Sequence, residues 1–134
     1  VLNANEVYAN KVMKNHHGGV ILLGDHVYGY SDKVGWTCQE FDTGTLTWNE
    51  KKALGKGSLT YADGRFYCLA QNGDVALIEA APTAYTEHGR FTMTPQSELR
   101  KPDGGIWAHP VVAFGTLYLR DQELLFAYDV KADR

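Results

Sequence analysis

The sequence predicts an all-β fold made of three four-stranded blades of a β-propeller, a partial propeller rather than a closed ring. The main observation is a ten-residue repeat in which two short apolar runs flank a turn and the second run ends in tyrosine. The three copies are residues 19–28, 58–67 and 109–118. Their final tyrosines, Tyr28, Tyr67 and Tyr118, are 39 and 51 residues apart. Propeller blades recur at about 40 to 50 residues, so the spacing indicates one blade per copy.

The turn within each copy favours strands over helices. The turns are Gly24-Asp25, Asp63-Gly64 and Phe114-Gly115. Asp-Gly between apolar runs is among the strongest short-range signals of a β-hairpin, because a tight turn of this kind needs positive φ. Helical repeats of similar period would have few glycine-centred turns, whereas this chain has 14 glycines and short β-branched or aromatic runs.

A second hairpin follows each copy and gives the blade its third and fourth strands. Its strands are predicted at 36–41 and 45–49, at 75–79 and 85–93, and at 124–129, where the last partner strand is missing. Within one domain of residues 1–134, the predicted blades are 19–50, 57–94 and 107–130, the last of them incomplete. The run 66–70 is apolar at both alternating positions, as expected of a strand that neighbouring blades cover on both faces.

Residues 1–14 are predicted to form the outer strand of a preceding or closing blade. The stretch from Val7 to Met13 fits a strand, although Ala4, Val7, Tyr8 and Val12 also fall at helical spacing. We prefer the strand because blade 3 lacks its fourth strand and a preceding blade would end here.

The segment from Cys38 to Trp48 resembles the eleven-residue repeat of quinoprotein, or PQQ-like, propellers. That repeat reads Ala-x-Asp-x-x-x-Gly-x-x-x-Trp across the third and fourth strands of a blade. Gly44 and Trp48 match it, whereas Glu40 replaces the Asp and Cys38 replaces the Ala. In this family the Trp stacks between neighbouring blades, so the resemblance implies a structural role for Gly44 and Trp48, alongside the repeat tyrosines.

The stretch 15–125, from Asn15-His-His-Gly-Gly19 through Asp121-Gln-Glu-Leu-Leu125, also resembles bacterial barrel-assembly-like and polyvinyl-alcohol-dehydrogenase-like propeller proteins. The resemblance implies a periplasmic or secreted bacterial protein. Enzymes of the quinoprotein family hold pyrroloquinoline quinone (PQQ) with calcium over the central channel, which implies an acidic calcium site, a catalytic Asp, a Trp platform and often a vicinal disulfide.

The residues of this chain do not reproduce that catalytic set. The two cysteines, Cys38 and Cys68, are not adjacent. Carboxylates on predicted loops, at Asp32, Asp103, Asp121 and Glu123, form no recognisable ligand pattern, and calcium requires about six to eight oxygen ligands. We therefore expect no catalytic residue and no cofactor in this chain.

Histidines and a tryptophan are the candidate ligand-binding residues. His16 and His17 precede the first strand of blade 1, His109 opens the first strand of blade 3, and Trp107 lies two residues earlier. First strands line the axis of a propeller, so these rings are expected near one mouth of the channel. They would contact a ligand or a transition metal. Alternatively, the histidine ring nitrogens would hydrogen-bond to the loops between blades, and Trp107 would fill space between blades. Without a spacing such as His-x-x-x-His, no metal site is predicted.

Charge and hydropathy exclude two classes of partner. Sixteen acidic and thirteen basic residues give a net charge of −3 and leave no basic stripe, so nucleic acid is not expected. No apolar run approaches the ~20 residues that span a bilayer.

The predicted function is a non-catalytic propeller module for binding or scaffolding. The alternative is a fragment of a PQQ-dependent alcohol dehydrogenase, polyvinyl-alcohol-like, whose cofactor site lies mostly on other blades. Three blades cannot close a ring, so the expected partners are other blades of a parent protein or copies of this chain. In the second case, Glu6 to Lys14 of one copy would complete blade 3 of another.

Overall fold

The computed structural model describes residues 1–132 and contains eleven strands in three antiparallel sheets. Blade 1 consists of β1 (Val20–Leu23), β2 (His26–Ser31), β3 (Gly35–Glu40) and β4 (Leu46–Glu50). Blade 2 consists of β5 (Gly57–Ala62), β6 (Arg65–Ala70), β7 (Asp74–Glu79) and β8 (Glu87–Thr92). Blade 3 consists of β9 (Val111–Ala113), β10 (Thr116–Asp121) and β11 (Leu124–Asp129). The predicted all-β partial propeller is confirmed, with three strands in the last blade.

The strands of each blade follow one another in sequence order, joined by connections of two to seven residues. Asp63 and Gly64 connect β5 to β6 with φ of 48° and 75°, and Phe114 and Gly115 connect β9 to β10 with φ of 52° and 74°. Two successive residues with positive φ are characteristic of a type I′ hairpin turn. Among the described residues there is no helix that is long and apolar enough to cross a membrane.

Two apolar cores lie between the three blades, one between blades 1 and 2 and one between blades 2 and 3. Strand β6 contributes side chains to both. Phe66 and Cys68 point towards blade 1, where the Phe66 ring lies 4.7 Å from that of Tyr28. Tyr67 and Leu69 alternate with them and point towards blade 3. The first core contains Tyr28, Trp36, Cys38, Leu54, Leu59, Phe66, Cys68, Ala70, Ala76 and Ile78. The second contains Leu69, Val75, Met93, Ile106, Leu117 and Leu119.

Residues 1–14 pair with no strand of the described chain, so the outer strand predicted there for a preceding or closing blade stays a prediction. The structure assigns no strand before β1. The segment packs instead on the face of blade 1 that points away from blade 2. There the Ser31 hydroxyl donates to the carbonyl of Val12 and accepts from the amide of Lys14, at 2.7 and 2.9 Å. The amide of Asp32 donates to the carbonyl of Lys14 at 2.9 Å.

Candidate functional site

The connections that lead into the inner strands β1, β5 and β9 meet at one edge of the three sheets. A side chain on Gly18 would overlap the carbonyl oxygen of Gly57, so the loop before β1 lies directly on the start of β5. The Ser58 hydroxyl donates to the carbonyl of Ala108 at 3.2 Å and joins β5 to the segment before β9. Residues distant in sequence therefore converge here.

This convergence brings together all four predicted ligand-binding residues. The His16 and His17 rings are stacked with their centroids 3.8 Å apart, and the His17 ring lies 4.5 Å from that of Trp107. The Nε2 atom of His109 is 2.8 Å from the carbonyl oxygen of His17. Since a carbonyl oxygen can only accept, this nitrogen carries the proton and donates it. His109 lies two residues before β9 rather than at its first position.

Two further residues complete the site, which we call the mouth cluster: His16, His17, Asp32, Lys56, Trp107 and His109. The Nζ atom of Lys56 lies 2.6 Å from Asp32 Oδ1 and 3.0 Å from His16 Nδ1. The same ammonium is 6.0 Å from the centroid of the Trp107 ring. Because an ammonium group only donates, His16 Nδ1 accepts this hydrogen bond.

The sequence analysis did not identify Lys56 as a site residue, although the repeat contains the signal for it. Aligning the three copies on Gly19, Ser58 and His109 places His17, Lys56 and Trp107 at the same position, two residues earlier. Each precedes an inner strand, and inner strands of neighbouring blades begin side by side. The three residues of this position therefore face one another, and Lys56 belongs to the set that His17 and Trp107 define.

The ion pair and the stacked rings set the charge of the site. The hydrogen bond from Lys56 lowers the pKa of the Asp32 carboxyl, so Asp32 is ionised at neutral pH. Partial loss of solvent around the His17 ring lowers its pKa, and the neighbouring His16 and Lys56 lower it further. His17 is therefore a neutral imidazole at neutral pH.

A cleft of about 240 Å³ has Trp107 in its wall. It is lined by Gly105, Ile106, Trp107, Ala108, Arg120, Asp121 and Gln122. The indole packs against Gly105, where a side chain would come within 2.8 Å of the ring. Trp107 is 40% exposed. One indole thus lines both the cleft and the mouth cluster, with Lys56 and Arg120 as the nearby cations.

The described residues do not fit the calcium and PQQ site that the family resemblance implies. Asp32 is engaged by Lys56, and the buried Asp121 accepts from Arg100 Nε at 3.0 Å and from the Ser97 amide at 2.9 Å. Within residues 1–132, no group of three His, Cys, Asp or Glu side chains could hold a metal ion. Calcium requires a dense set of oxygen ligands that are free to coordinate it, and the described residues do not offer such a set.

Comparison with known proteins places the chain in a structural class. It matches no protein-family profile and no curated protein sequence. Its fold is similar to that of BamB from Moraxella catarrhalis, with a TM-score of 0.61 and 16% identity over 83% of this chain and 32% of that one. It is also similar to quinohemoprotein alcohol dehydrogenase from Comamonas testosteroni, with a TM-score of 0.63 and 15% identity over 90% and 20%.

These similarities show that the chain shares its β-propeller blade fold with BamB and with the quinohemoprotein alcohol dehydrogenase. They support the resemblance that the Cys38 to Trp48 segment indicates. At this level of identity they concern the fold alone. The chain spans about a third of the length of BamB and a fifth of that of the alcohol dehydrogenase.

Proposed function

We propose that this chain is a non-catalytic β-propeller module that binds or scaffolds another molecule, with the mouth cluster as its contact surface. The observation that carries the proposal is the convergence of His17, Lys56 and Trp107, one from each blade, at one edge of the sheets. A partly exposed tryptophan beside a cleft, with a few polar groups directed at it, is the usual composition of a ligand site.

The chemistry of the cluster defines the ligand that it would accept. The indole of Trp107 offers an apolar wall to a ring or an aliphatic group. Arg120, which lines the same cleft as Trp107, favours a ligand with an acidic or strongly polar group, whereas Lys56 contributes less because it is paired with Asp32. The histidines contribute less to recognition, because His109 is already engaged with a backbone carbonyl and His16 with Lys56.

The indole N–H resonances provide a direct test, because the chain has three tryptophans in different environments. Trp36 donates to the carbonyl of Gly55 and is buried, and Trp48 lies between blades 1 and 2. We expect small aromatic acids, with benzoate and indole-3-acetate as the probes, to shift the Trp107 resonance and to leave that of Trp36 unchanged. Trp107→Phe is the matched variant. Shifts that are equal at all three indoles, or none at millimolar probe, contradict the proposed surface.

A second candidate is a fragment of a PQQ-dependent alcohol dehydrogenase whose cofactor site lies mostly on other blades. The similarity to a quinohemoprotein alcohol dehydrogenase favours it. Titration with PQQ and calcium chloride, followed by a dye-linked assay of alcohol oxidation, separates the two candidates. Stoichiometric binding with alcohol-dependent dye reduction supports the fragment. No reduction above the PQQ and calcium control supports the non-catalytic module.

A further inference from the structure

The two ends of the chain hold complementary parts of one blade. In blades 1 and 2, the third strands β3 and β7 pair on their outer side with the antiparallel fourth strands β4 and β8. In blade 3, β11 pairs with β10 and with no other described strand. At the other end, residues 1–14 stand where a fourth strand would lead into blade 1.

The edge of β11 that lies away from β10 pairs with no strand among residues 1–132 and can accept one. The amide of Val130 donates to the carbonyl of Gly115, and a two-residue turn joins β10 to β11. Backbone groups alternate in direction along an antiparallel strand, so those of Leu125, Ala127 and Asp129 point away from β10. Unpaired edge groups of this kind are a template for another strand.

Residues 8–10 lie against blade 1 in the position that the fourth strand of a preceding blade would take. Between blades 2 and 3, Phe91 of the fourth strand β8 contacts Tyr128, the fifth residue of β11, with ring centroids 4.9 Å apart. The fifth residue of β3 is Gln39, and its Nε2 atom lies 3.4 Å from the Tyr8 hydroxyl. Asn10 Nδ2 donates to the Gly44 carbonyl at 2.9 Å. Tyr8 therefore contacts the fifth residue of the third strand in blade 1, as Phe91 does in blade 3.

The face of blade 3 that a following blade would cover is apolar and exposed. The second residue of each third strand faces the next blade. Trp36 and Val75 occupy this position in blades 1 and 2 and are 2% and 3% exposed, whereas Leu125 in blade 3 is 69% exposed. Val111 and Tyr118 lie on the same face and are also exposed. An apolar sheet face of this kind indicates an interaction surface.

From these observations we propose that β11 of one chain accepts residues 4–8 of a second copy as its antiparallel fourth strand, with blade 1 of that copy covering the exposed face. The inference rests on the proposed propeller module and names its partner. Because Val75 pairs with Phe91, the expected register places Leu125 opposite Tyr8 and Ala127 opposite Glu6. The contact is head-to-tail, so copies add in one direction until a ring closes.

Two proline variants test the contact from either side. Ala127→Pro removes an amide that points to the free edge and leaves the ladder to β10 intact. Glu6→Pro removes an amide from the donated strand, and Asn3→Pro, outside the register, is the control. We expect light scattering to show concentration-dependent association of the wild type and of Asn3→Pro, with each of the other two variants monomeric alone.

Mixing the two variants gives the decisive result. Ala127→Pro still has an intact N-terminal strand, and Glu6→Pro still has an intact β11 edge. In an equimolar mixture, the first should donate its strand to the second, and the result should be dimers and nothing larger. A mixture that stays monomeric, or a wild type that is monomeric at every concentration, overturns the proposal. A Glu6→Pro protein that still dimerises by itself overturns it too, because blade 3 would then pair with blade 3.

Leu125→Glu, a change at an exposed side chain, should weaken association at least tenfold and covers the case in which Ala127→Pro misfolds. The indole titrations at Trp107 do not depend on residues 4–8 or β11, so failure of the module and failure of this contact are distinguishable.

Discussion

The indole Nε1 of Trp48 donates a hydrogen bond to the carbonyl oxygen of Ala81, 3.1 Å away, and this bond crosses from blade 1 to blade 2. The Trp48 ring also lies edge-on to that of Tyr85, with centroids 6.0 Å apart, and packs on the first core. The family resemblance implies an interblade position for this residue. The structure adds the specific partners, which make the contribution of the side chain measurable.

Trp48→Phe should lower the free energy of unfolding by about 1 kcal/mol, the usual net value of one hydrogen bond. Trp48→Ala should cost about 3 kcal/mol or more, because it also removes the packing against Tyr85. Equilibrium unfolding in urea measures both values. Trp107→Phe is the control, and a change within about 0.5 kcal/mol is expected for this partly exposed residue. Equal losses for Trp48→Phe and Trp107→Phe would contradict the interblade role of the hydrogen bond.

Gly18→Ala tests whether the mouth cluster depends on close backbone contact. The added methyl group would overlap the carbonyl of Gly57, so the loop carrying His17 must move away from β5. We expect a loss of about 1 to 3 kcal/mol, as for other overpacking substitutions. Gly89→Ala is the matched control, because nothing lies within 4 Å of the added carbon there. Thermal unfolding of both variants decides the question, and similar midpoints would show that the loop is free to shift.

The fold could be predicted from the sequence because local signals and core pattern agree. The turn at Asp63-Gly64 fixes one hairpin, and the apolar run from Phe66 to Ala70 requires cover on both faces, which the two cores provide. The structure also brings the His17 and Trp107 rings together. This proximity was expected because both residues precede inner strands, and inner strands line the axis of a propeller. Lys56 was missed because a lysine before a strand is indistinguishable, by composition alone, from a solvated residue.

The outer strand predicted at residues 1–14 stays a prediction, because the described chain gives it no sheet edge to pair with. A β-strand forms only when it pairs with another strand. The apolar residues Val7 and Tyr8 favour a strand, but the segment needs a neighbouring sheet edge to form one. In the described chain that edge is at the opposite end, on β11. The sequence analysis already names this edge as the one that Glu6 to Lys14 of another copy would complete, and the pairing of β7 with β8 gives the register proposed for it.

Asp121→Asn should destabilise the protein strongly, because the Asp121 side chain is 1% exposed and paired with Arg100. Its second oxygen accepts from the Ser97 amide, and Arg100 also donates to the carbonyl of Gly104. Removing one partner of a buried ion pair costs about 3 to 5 kcal/mol. Asp103→Asn is the control. Asp103 is exposed on the loop that carries Arg100, and its substitution should change the free energy of unfolding by about 0.5 kcal/mol or less.

Hydrogen exchange gives an independent readout of the same ion pair. Arg100 and Asp121 hold the loop that leads to Trp107, and the Ile106 amide donates to the carbonyl of Gln71 at 2.9 Å. In Asp121→Asn, the Ile106 amide should therefore exchange faster, whereas Asp103→Asn should leave it unchanged. Unaltered protection in Asp121→Asn would mean that the loop is held by its apolar contacts alone.

The pH dependence of stability should show two separate steps from the mouth cluster. The pKa of His17 is lower in the folded protein than in the unfolded chain, so the unfolded state binds more protons near pH 6.5. The free energy of unfolding should therefore fall as the pH drops through about 6.5. The pKa of Asp32 is also lowered, by Lys56, and its stabilising effect is present above the unfolded value and lost as the pH falls below about 4.

Substitutions at His17 and Lys56 assign the two steps. His17→Gln should remove the step near pH 6.5 and keep the acidic one, whereas Lys56→Met should weaken the acidic step, because the hydrogen bond from Lys56 is the main cause of the low Asp32 pKa. His26→Gln, on β2 outside the mouth cluster, is the control and should retain both. Urea unfolding at intervals between pH 8 and pH 3 provides the profile. Loss of the first step in His26→Gln, or its persistence in His17→Gln, would assign the titration to another histidine and contradict the conclusion that loss of solvent, His16 and Lys56 lower the pKa of His17.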